Sequence, residues 1–285
     1  MSMLDTFADL KRLVRGPGIE PGHRRARVVA VAARKGGVGK TTTTVSLGTA
    51  LSVLSRQRVL LVDMDAQGHV AQSLSRDELH RGGETLGALL LGKNRDLQEI
   101  AAPTAIDGLW TVASDPSLNE TETMLSARIG KELCLRQALK LARTHYDVIL
   151  IDCPPNLGTL TVSSLVAADQ VLVPCDLSTL GLDGVDALLE TVETIRETLN
   201  PSLSVLGLLR TRVDRRNQTM NQTIEESLKA RYGHLLLDTV VGISSAIPKA
   251  QLGGRPVQLH DAESRGAKDY AALGAEVSRR LGLRV

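Results

Sequence analysis

The stretch Lys35-Gly36-Gly37-Val38-Gly39-Lys40-Thr41-Thr42 decides the reading of this chain. Before it runs Val28-Val29-Ala30-Val31-Ala32-Ala33, apolar throughout, as a strand buried on both faces requires. After it, Thr43 to Leu54 reads as a helix. A glycine-rich loop between a buried strand and a helix, with Lys-Thr at the helix start, is the arrangement that cradles phosphates. Glycines let successive backbone N–H groups turn inward around an anion, and the positive end of the helix points at the same place. Lys40 is expected to reach the outer phosphates and the Thr41 hydroxyl to bind Mg²⁺, with Gly36, Gly37, Val38, Gly39 and Thr42 completing the cradle. The chain is therefore expected to bind a nucleoside triphosphate.

The loop departs from the usual G-x-x-x-x-G-K-T. Arg34 stands at the first glycine position, and Lys35 is an extra lysine near the start. Lys35 and Lys40 crowd one phosphate group if both serve the same nucleotide. The alternative is that Lys35 reaches across a dimer interface to the partner's nucleotide, as an arginine finger does in trans.

The chain has 285 residues, 42% hydrophobic and 23% charged, which suits one large α/β domain. Aromatics are only 2%, so aliphatic side chains must fill the core. The same shortage argues against single-stranded nucleic acid held by base stacking. A net charge of +2 means that any polyanion must be met by a local basic patch. Cys134, Cys153 and Cys175 form no C-x-x-C pair and no even framework, which fits a reducing cytoplasm. No signal peptide and no run of about 18 apolar residues is evident.

Residues 1–26 read as an extension set apart from a domain over 27–285. Met3, Leu4, Phe7, Leu10 and Val14 fall at helical spacing, and Gly16-Pro17-Gly18 and Pro21-Gly22 then break the helix before Arg24, Arg25 and Arg27. This extension is read either as packed on its own domain or frayed, or as an element that contacts a partner, a membrane or DNA. From Val28 onward strands and helices alternate. Strands are expected over 58–63, 109–112, 147–152, 170–174, 204–211 and 235–241. Helices are expected over 85–91, 131–143, 185–199, 217–231 and 262–281. That alternation means a mostly parallel twisted sheet with helices on both faces and ligands at the strands' carboxyl ends.

Acidic residues end the strands that should face the nucleotide. Asp152 closes Ile149-Leu150-Ile151-Asp152 and is expected on the Mg²⁺ side, directly or through a water. Asp65, just past the second strand, is the candidate for orienting the attacking water, while Asp63 supports the metal shell or the loop. Gly68 and Pro154-Pro155 mark two loops beside the γ-phosphate that rearrange when that phosphate is lost.

These motifs together resemble the ParA/MinD family of deviant Walker A ATPases. The resemblance rests on residues 35–42, on Val59-Leu60-Leu61-Val62-Asp63-Met64-Asp65-Ala66-Gln67-Gly68 and on Asp147 to Pro155. It extends through Val171-Leu172-Val173-Pro174 and covers nearly all of 27–285. The resemblance implies an ATP-dependent sandwich homodimer with weak, Mg²⁺-dependent ATPase activity. It implies that Lys35 contacts the opposite subunit's nucleotide, that Lys40 and Thr41 hold phosphate and Mg²⁺, that Asp65 activates water and that Asp152 lies on the metal side. In the ParA branch the ATP dimer binds nonspecific double-stranded DNA. A ParB-like or other cargo adaptor then stimulates hydrolysis and releases the dimer, which positions plasmids, chromosomes or protein assemblies over the nucleoid. Two departures stand out: Ala66 replaces the usual proline of Asp-x-Asp-Pro-Gln, and Val241-Gly242-Ile243-Ser244 stands where many relatives carry Pro-Arg.

Arg210, Arg212, Arg215 and Arg216 cluster after a strand, and Lys249 and Arg255 lie on a later loop. Presented twice in a dimer, Arg215, Arg216, Lys249 and Arg255 make a DNA footprint for phosphates, with Arg212 near the nucleotide base. A MinD-like membrane ATPase is the main rival reading, but the tail Ala275 to Val285 has no aromatic and few large apolar residues for a surface helix. A relative of the nitrogenase iron protein would need cysteine ligands, and Cys134 and Cys153 form no ligand pair.

Overall fold

The computed structural model describes residues 20–74, 84–92, 95–214, 216 and 218–283, with the backbone path alone for 179–182 and 218–223. The expected Met3–Val14 helix lies outside these residues. The strands are β1 (Arg27–Val31), β2 (Val59–Asp63), β3 (Ala102–Pro103), β4 (Leu109–Val112), β5 (Val148–Asp152), β6 (Gln170–Asp176), β7 (Ser204–Val213) and β8 (Leu236–Gly242). They form one sheet in the order β3-β4-β2-β5-β1-β6-β7-β8. Every pairing is parallel except β3 with β4. The helices are α1 (Lys40–Val53), α2 (His69–Gln72), α3 (Leu86–Leu91), α4 (Leu118–Ser126), α5 (Cys134–Ala138), α6 (Thr159–Ala167), α7 (Thr179–Thr198), α8 (Gln218–Tyr232), α9 (Ala246–Leu252), α10 (Val257–His260) and α11 (Arg265–Leu281).

Alternation along the central strand β1 sorts two cores. Val28 and Ala30 face one side with Leu89, Leu118, Leu160 and Leu188 from α3, α4, α6 and α7. Val29 and Val31 face the other with Leu47 and Leu51 of α1 and Leu273 and Val277 of α11. A strand buried on both faces reads as a continuous apolar run because neither set of side chains meets water.

α1 is built for close packing and not for amphipathicity. Its Thr44 and Thr49 hydroxyls donate to the carbonyls of Lys40 and Val45 at 3.1 and 2.9 Å, so these polar side chains are buried at little cost. Gly48 and Gly274 let the layers close: a Cβ on Gly48 would lie 2.7 Å from Leu61 Cδ2, and one on Gly274 2.6 Å from Ala50 Cβ. α1 begins at Lys40, three residues before the expected Thr43, because the loop runs directly into the helix.

Two features differ from the sequence expectation, and the end of the N-terminal extension takes one of its expected courses. The single helix over 131–143 is broken into a 3-10 turn at Lys131–Leu133, α5, and a second 3-10 turn at Ala142–Thr144. The Asp96 carboxylate takes the N–H groups of Leu141 and Ala142, which a continuous helix would have spent on its own carbonyls. α2, α4, α6, α9 and α10 occupy stretches to which the periodicity assigns no helix. Residues 22–26 are docked: Gly22 N–H donates to Thr144 Oγ1, the Arg24 and Ala26 amides to the Thr144 and Arg143 carbonyls, and Arg24 pairs with Asp147.

Candidate active site

Sheet order puts β1 between β5 and β6, while β2 lies beyond β5 and β7 beyond β6. The chain thus reverses direction across the sheet at β1, and the cleft outside the carboxyl ends at such a point is where open α/β sheets bind ligands. A cleft of about 940 Å³ opens there. One wall is the glycine loop with Thr41 and Thr42, another Asp65 and Gln67, and a third Val241, Ile243, Ser244 and Pro248.

Gly37 (φ 74°) and Gly39 (φ 89°) take left-handed backbone, which only glycine adopts freely, and so wrap the loop around the start of α1. Lys40 is buried, its ammonium donating to the Lys35 carbonyl at 3.2 Å. Burial lowers its pKa, and Asp152, Cys153 and Asp65 act the other way. Thr41 donates to Asp152 Oδ2 at 2.6 Å, and the Thr44 hydroxyl, whose one proton is shared with the Lys40 carbonyl, lies 3.2 Å from Oδ1. Asp152 is fully buried, and burial pushes its carboxyl up to about 7 against the Thr41 bond and the Lys40 charge. Asp63 stands beside it in register across β2 and β5. Its oxygens accept the N–H groups of Asp65 and Val70 at 3.0 and 3.1 Å, which shape the loop between them. Burial, then the Asp152 charge, raises the Asp63 carboxyl well above the usual range. Two carboxylates forced together out of water favour a compensating cation.

That donor set, a threonine hydroxyl against a carboxylate with a second carboxylate alongside, fits Mg²⁺, a hard ion with oxygen ligands. Thr41 would hold it and Asp152 would lie on its outer side. Bound with nucleotide, it would supply charge to the phosphate oxygens. Asp65 is half-exposed on the cleft wall, where a carboxylate meets entering water, and its Oδ1 accepts the Gln67 N–H at 3.0 Å.

Other residues fall differently from their sequence positions. Lys35 does not line the cleft; its ammonium donates to Asp176 at 2.7 Å and Ser178 at 3.2 Å, beyond the end of β6. Val38 is buried and turns its carbonyl to the Thr211 hydroxyl at 2.8 Å. Pro154 is buried, and Pro155 is the proline that lines the cleft. Arg212 lines the cleft with left-handed backbone (φ 54°) and donates to the Gly37 carbonyl at 2.9 Å. Arg210 does not join a surface cluster: it is buried, paired with Glu225 and bonded to the Leu237 carbonyl, because its place in β7 turns it under α8. Arg215 lies outside the described residues. Arg216 is exposed and gripped by Asp214 through two bonds of 2.9 Å. Lys249 and Arg255 are exposed, Lys249 between the cleft-lining Pro248 and Gln251 and Arg255 just past the end of α9. Sequence reasoning missed Asp176, although it ends an apolar strand as Asp63 and Asp152 do. It also missed Gln251, whose amide donates to Thr42 at 2.8 Å.

The fold and this cleft define a phosphate-loop ATPase. The AAA domain family model (AAA_31) matches residues 26–205. The chromosome partitioning protein ParA of Myxococcus xanthus is 36% identical over 254 residues, covering 89% of this chain and 88% of its own length. The sporulation initiation inhibitor protein Soj of Bacillus subtilis is 35% identical over 252 residues, covering 88% and 98%. Among solved structures, cobyrinic acid a,c-diamide synthase of Mycobacterium smegmatis with bound ADP and magnesium superposes with a TM-score of 0.74. It is 32% identical and covers 91% of this chain and 98% of its own. The chain belongs to the ParA/MinD family of phosphate-loop ATPases. It is an enzyme that hydrolyses ATP, with Mg²⁺ as cofactor.

Proposed function

We propose that this ATPase is a nucleotide-gated homodimerisation switch. ATP closes the dimer, the dimer holds nonspecific double-stranded DNA, and hydrolysis stimulated by a cargo adaptor releases it. The cargo is DNA or a protein assembly positioned over the nucleoid. The observation that carries the reading is Lys35. It does not line its own cleft and is held by Asp176 and Ser178 at the end of β6, a partly exposed pair from which a second subunit can draw it to a second nucleotide. Lys40 and Thr41 then serve the nucleotide in cis and Asp65 the attacking water. The names of the partition relatives support the DNA step. Lys249 and Arg255 support it too, since both are exposed, neither makes an ion pair among the described residues and Lys249 lies between the cleft-lining Pro248 and Gln251, while Arg216 must first exchange Asp214 for phosphate.

The MinD-like alternative of membrane attachment has less support. α11 has an apolar stripe, but Tyr270, Leu273, Val277 and Leu281 are spent in the core. No helix among the described residues is long and apolar enough to cross a membrane. The test is binding of the Asp65→Ala protein to nonspecific duplex DNA with ATP and with ADP, across a salt series. ATP-dependent binding that weakens steeply with salt is expected. Equal binding with both nucleotides, or none with either, refutes the gated DNA step.

A further inference from the structure

The segment Cys153–Gly158 joins Asp152 at the end of β5 to α6 and turns Pro155 into the cleft. Its β5 end is fixed by the Thr41 and Thr44 bonds to Asp152. Its α6 end is fixed from outside. α6 opens on Gly158, which has no side chain to cap it. The missing acceptor comes from α4, where Glu122 Oε1 accepts the Leu160 N–H at 3.1 Å. A carboxylate suits that place, because helix N-termini carry unsatisfied N–H groups and partial positive charge. Glu122 stands so close that a Cβ on Gly158 would lie 2.3 Å from its Oε1. Asn156 then ties the turn to the same helix end: its Oδ1 accepts the Gly158 N–H at 3.3 Å, and its carbonyl accepts the Thr161 hydroxyl at 2.6 Å.

A serine or aspartate at 158 would have capped α6 without help. Supplying the cap from another helix makes the course of 153–158 depend on where α4 sits. We infer that Glu122 is a positioning residue for ATP hydrolysis. Through the Leu160 amide it holds the Pro155 loop where it completes the cleft beside Asp152. It does not line the cleft, so its loss acts on turnover and spares binding.

The test uses the full chain and three variants. Glu122→Ala removes the acceptor, Glu122→Gln keeps an oxygen in its place, and Gly158→Ala pushes the carboxylate away from the other side. Turnover at saturating Mg·ATP and the Kd for ATP are measured for each. Glu122→Ala and Gly158→Ala are expected to lose turnover about fivefold or more, the worth of one hydrogen bond, with Kd within about twofold of the parent. Glu122→Gln is expected to keep turnover within about twofold. Hydrogen exchange at the amides of 156–160 reads the contact apart from chemistry and should quicken in Glu122→Ala alone of the two Glu122 variants. Glu122→Ala with parental turnover and a lowered melting temperature would make the cap purely structural and overturn the inference. Equal losses in Glu122→Ala and Glu122→Gln, or unchanged exchange in Glu122→Ala, would also overturn it. A parent with no turnover would instead count against ATP hydrolysis itself, and the exchange result would still decide the contact.

Discussion

Arg212 combines a strained backbone with a side chain that grips the phosphate loop, and two substitutions separate these. At φ 54° an L-residue gives up about 1–2 kcal/mol, whereas glycine adopts the conformation freely. Glycine also gains more freedom in the unfolded chain, which returns roughly 0.5–1 kcal/mol of that advantage. Arg212→Gly should therefore be more stable than Arg212→Ala by about 0.5–1 kcal/mol, a melting difference of about 2 °C in a chain of this size. Both variants lose the 2.9 Å bond to the Gly37 carbonyl, worth about 1 kcal/mol at this exposed place. The loop then has to be ordered by the ligand, so both should bind ATP about fivefold more weakly. Urea unfolding with a shared m-value gives the first quantity, and titration with a fluorescent ATP analogue gives the second. If alanine proves as stable as glycine, the backbone at 212 stores no strain. If only one variant loses affinity, the guanidinium is not what holds the loop.

Other outcomes follow from the same geometry. Lys35→Ala removes an ion pair that is partly exposed, so monomer stability should change by no more than about 1 kcal/mol, while ATP-dependent dimerisation measured by light scattering is lost. Asp152→Asn should stabilise the nucleotide-free protein at pH 8, by at most about 4 kcal/mol less whatever the weakened Thr41 contact costs, because the Asp152 carboxyl is raised from 3.8 to about 7. The sign follows from the unfolded chain ionising first. As pH rises from about 4 to about 7 the native state binds more protons, and stability falls with pH, a slope that the asparagine protein should lose. The same variant should lose the added thermal stability that Mg²⁺ gives with ATP. Gly274→Ala places a methyl 2.6 Å from Ala50 Cβ between two rigid helices, an overlap worth about 1–3 kcal/mol that exceeds the helix propensity gained. Adding Ala50→Gly should recover most of that loss, and no recovery would mean that α1 and α11 do not meet there.

The phosphate loop and the acids at 63, 65 and 152 are legible because each combines a special residue with a buried strand, a pattern that needs no tertiary knowledge. Asp176 carries the same signal at the end of Val171-Leu172-Val173-Pro174-Cys175, but the phosphate-loop pattern assigns no nucleotide role to an acid on that strand. Strand order is a different matter. β1 becomes central only through pairings with β5 and β6, more than a hundred residues away. Arg210 looked like its neighbours because a charge count cannot show which side of β7 lies beneath α8. α6 was unassigned because its helix is rich in Thr and Ser, whose buried hydroxyls are satisfied on nearby carbonyls, as Ser164 is on Leu160 at 2.7 Å. Glu122 reads as one more charge on an exposed stretch until the fold brings Leu160 against it.

The tight junction of α1 with α11 has a mechanical consequence. Tyr270 of α11 lines the cleft and meets Thr43 of α1 at 3.3 Å, and Gln258 of α10 donates to the Ser46 carbonyl at 2.7 Å. With Gly274 against Ala50, the base of the phosphate loop and the wall at residues 241–252 are carried on one stiff block. On the opposite wall, residues 65–68 and 153–158, carboxylates supply part of the hold: Asp63 accepts the Asp65 and Val70 amides and Glu122 the Leu160 amide. The two walls are thus held differently, one by packed helices and the other by carboxylates that accept backbone N–H groups. Substitutions on the acidic side should therefore alter the timing of the cycle before they alter what the cleft holds.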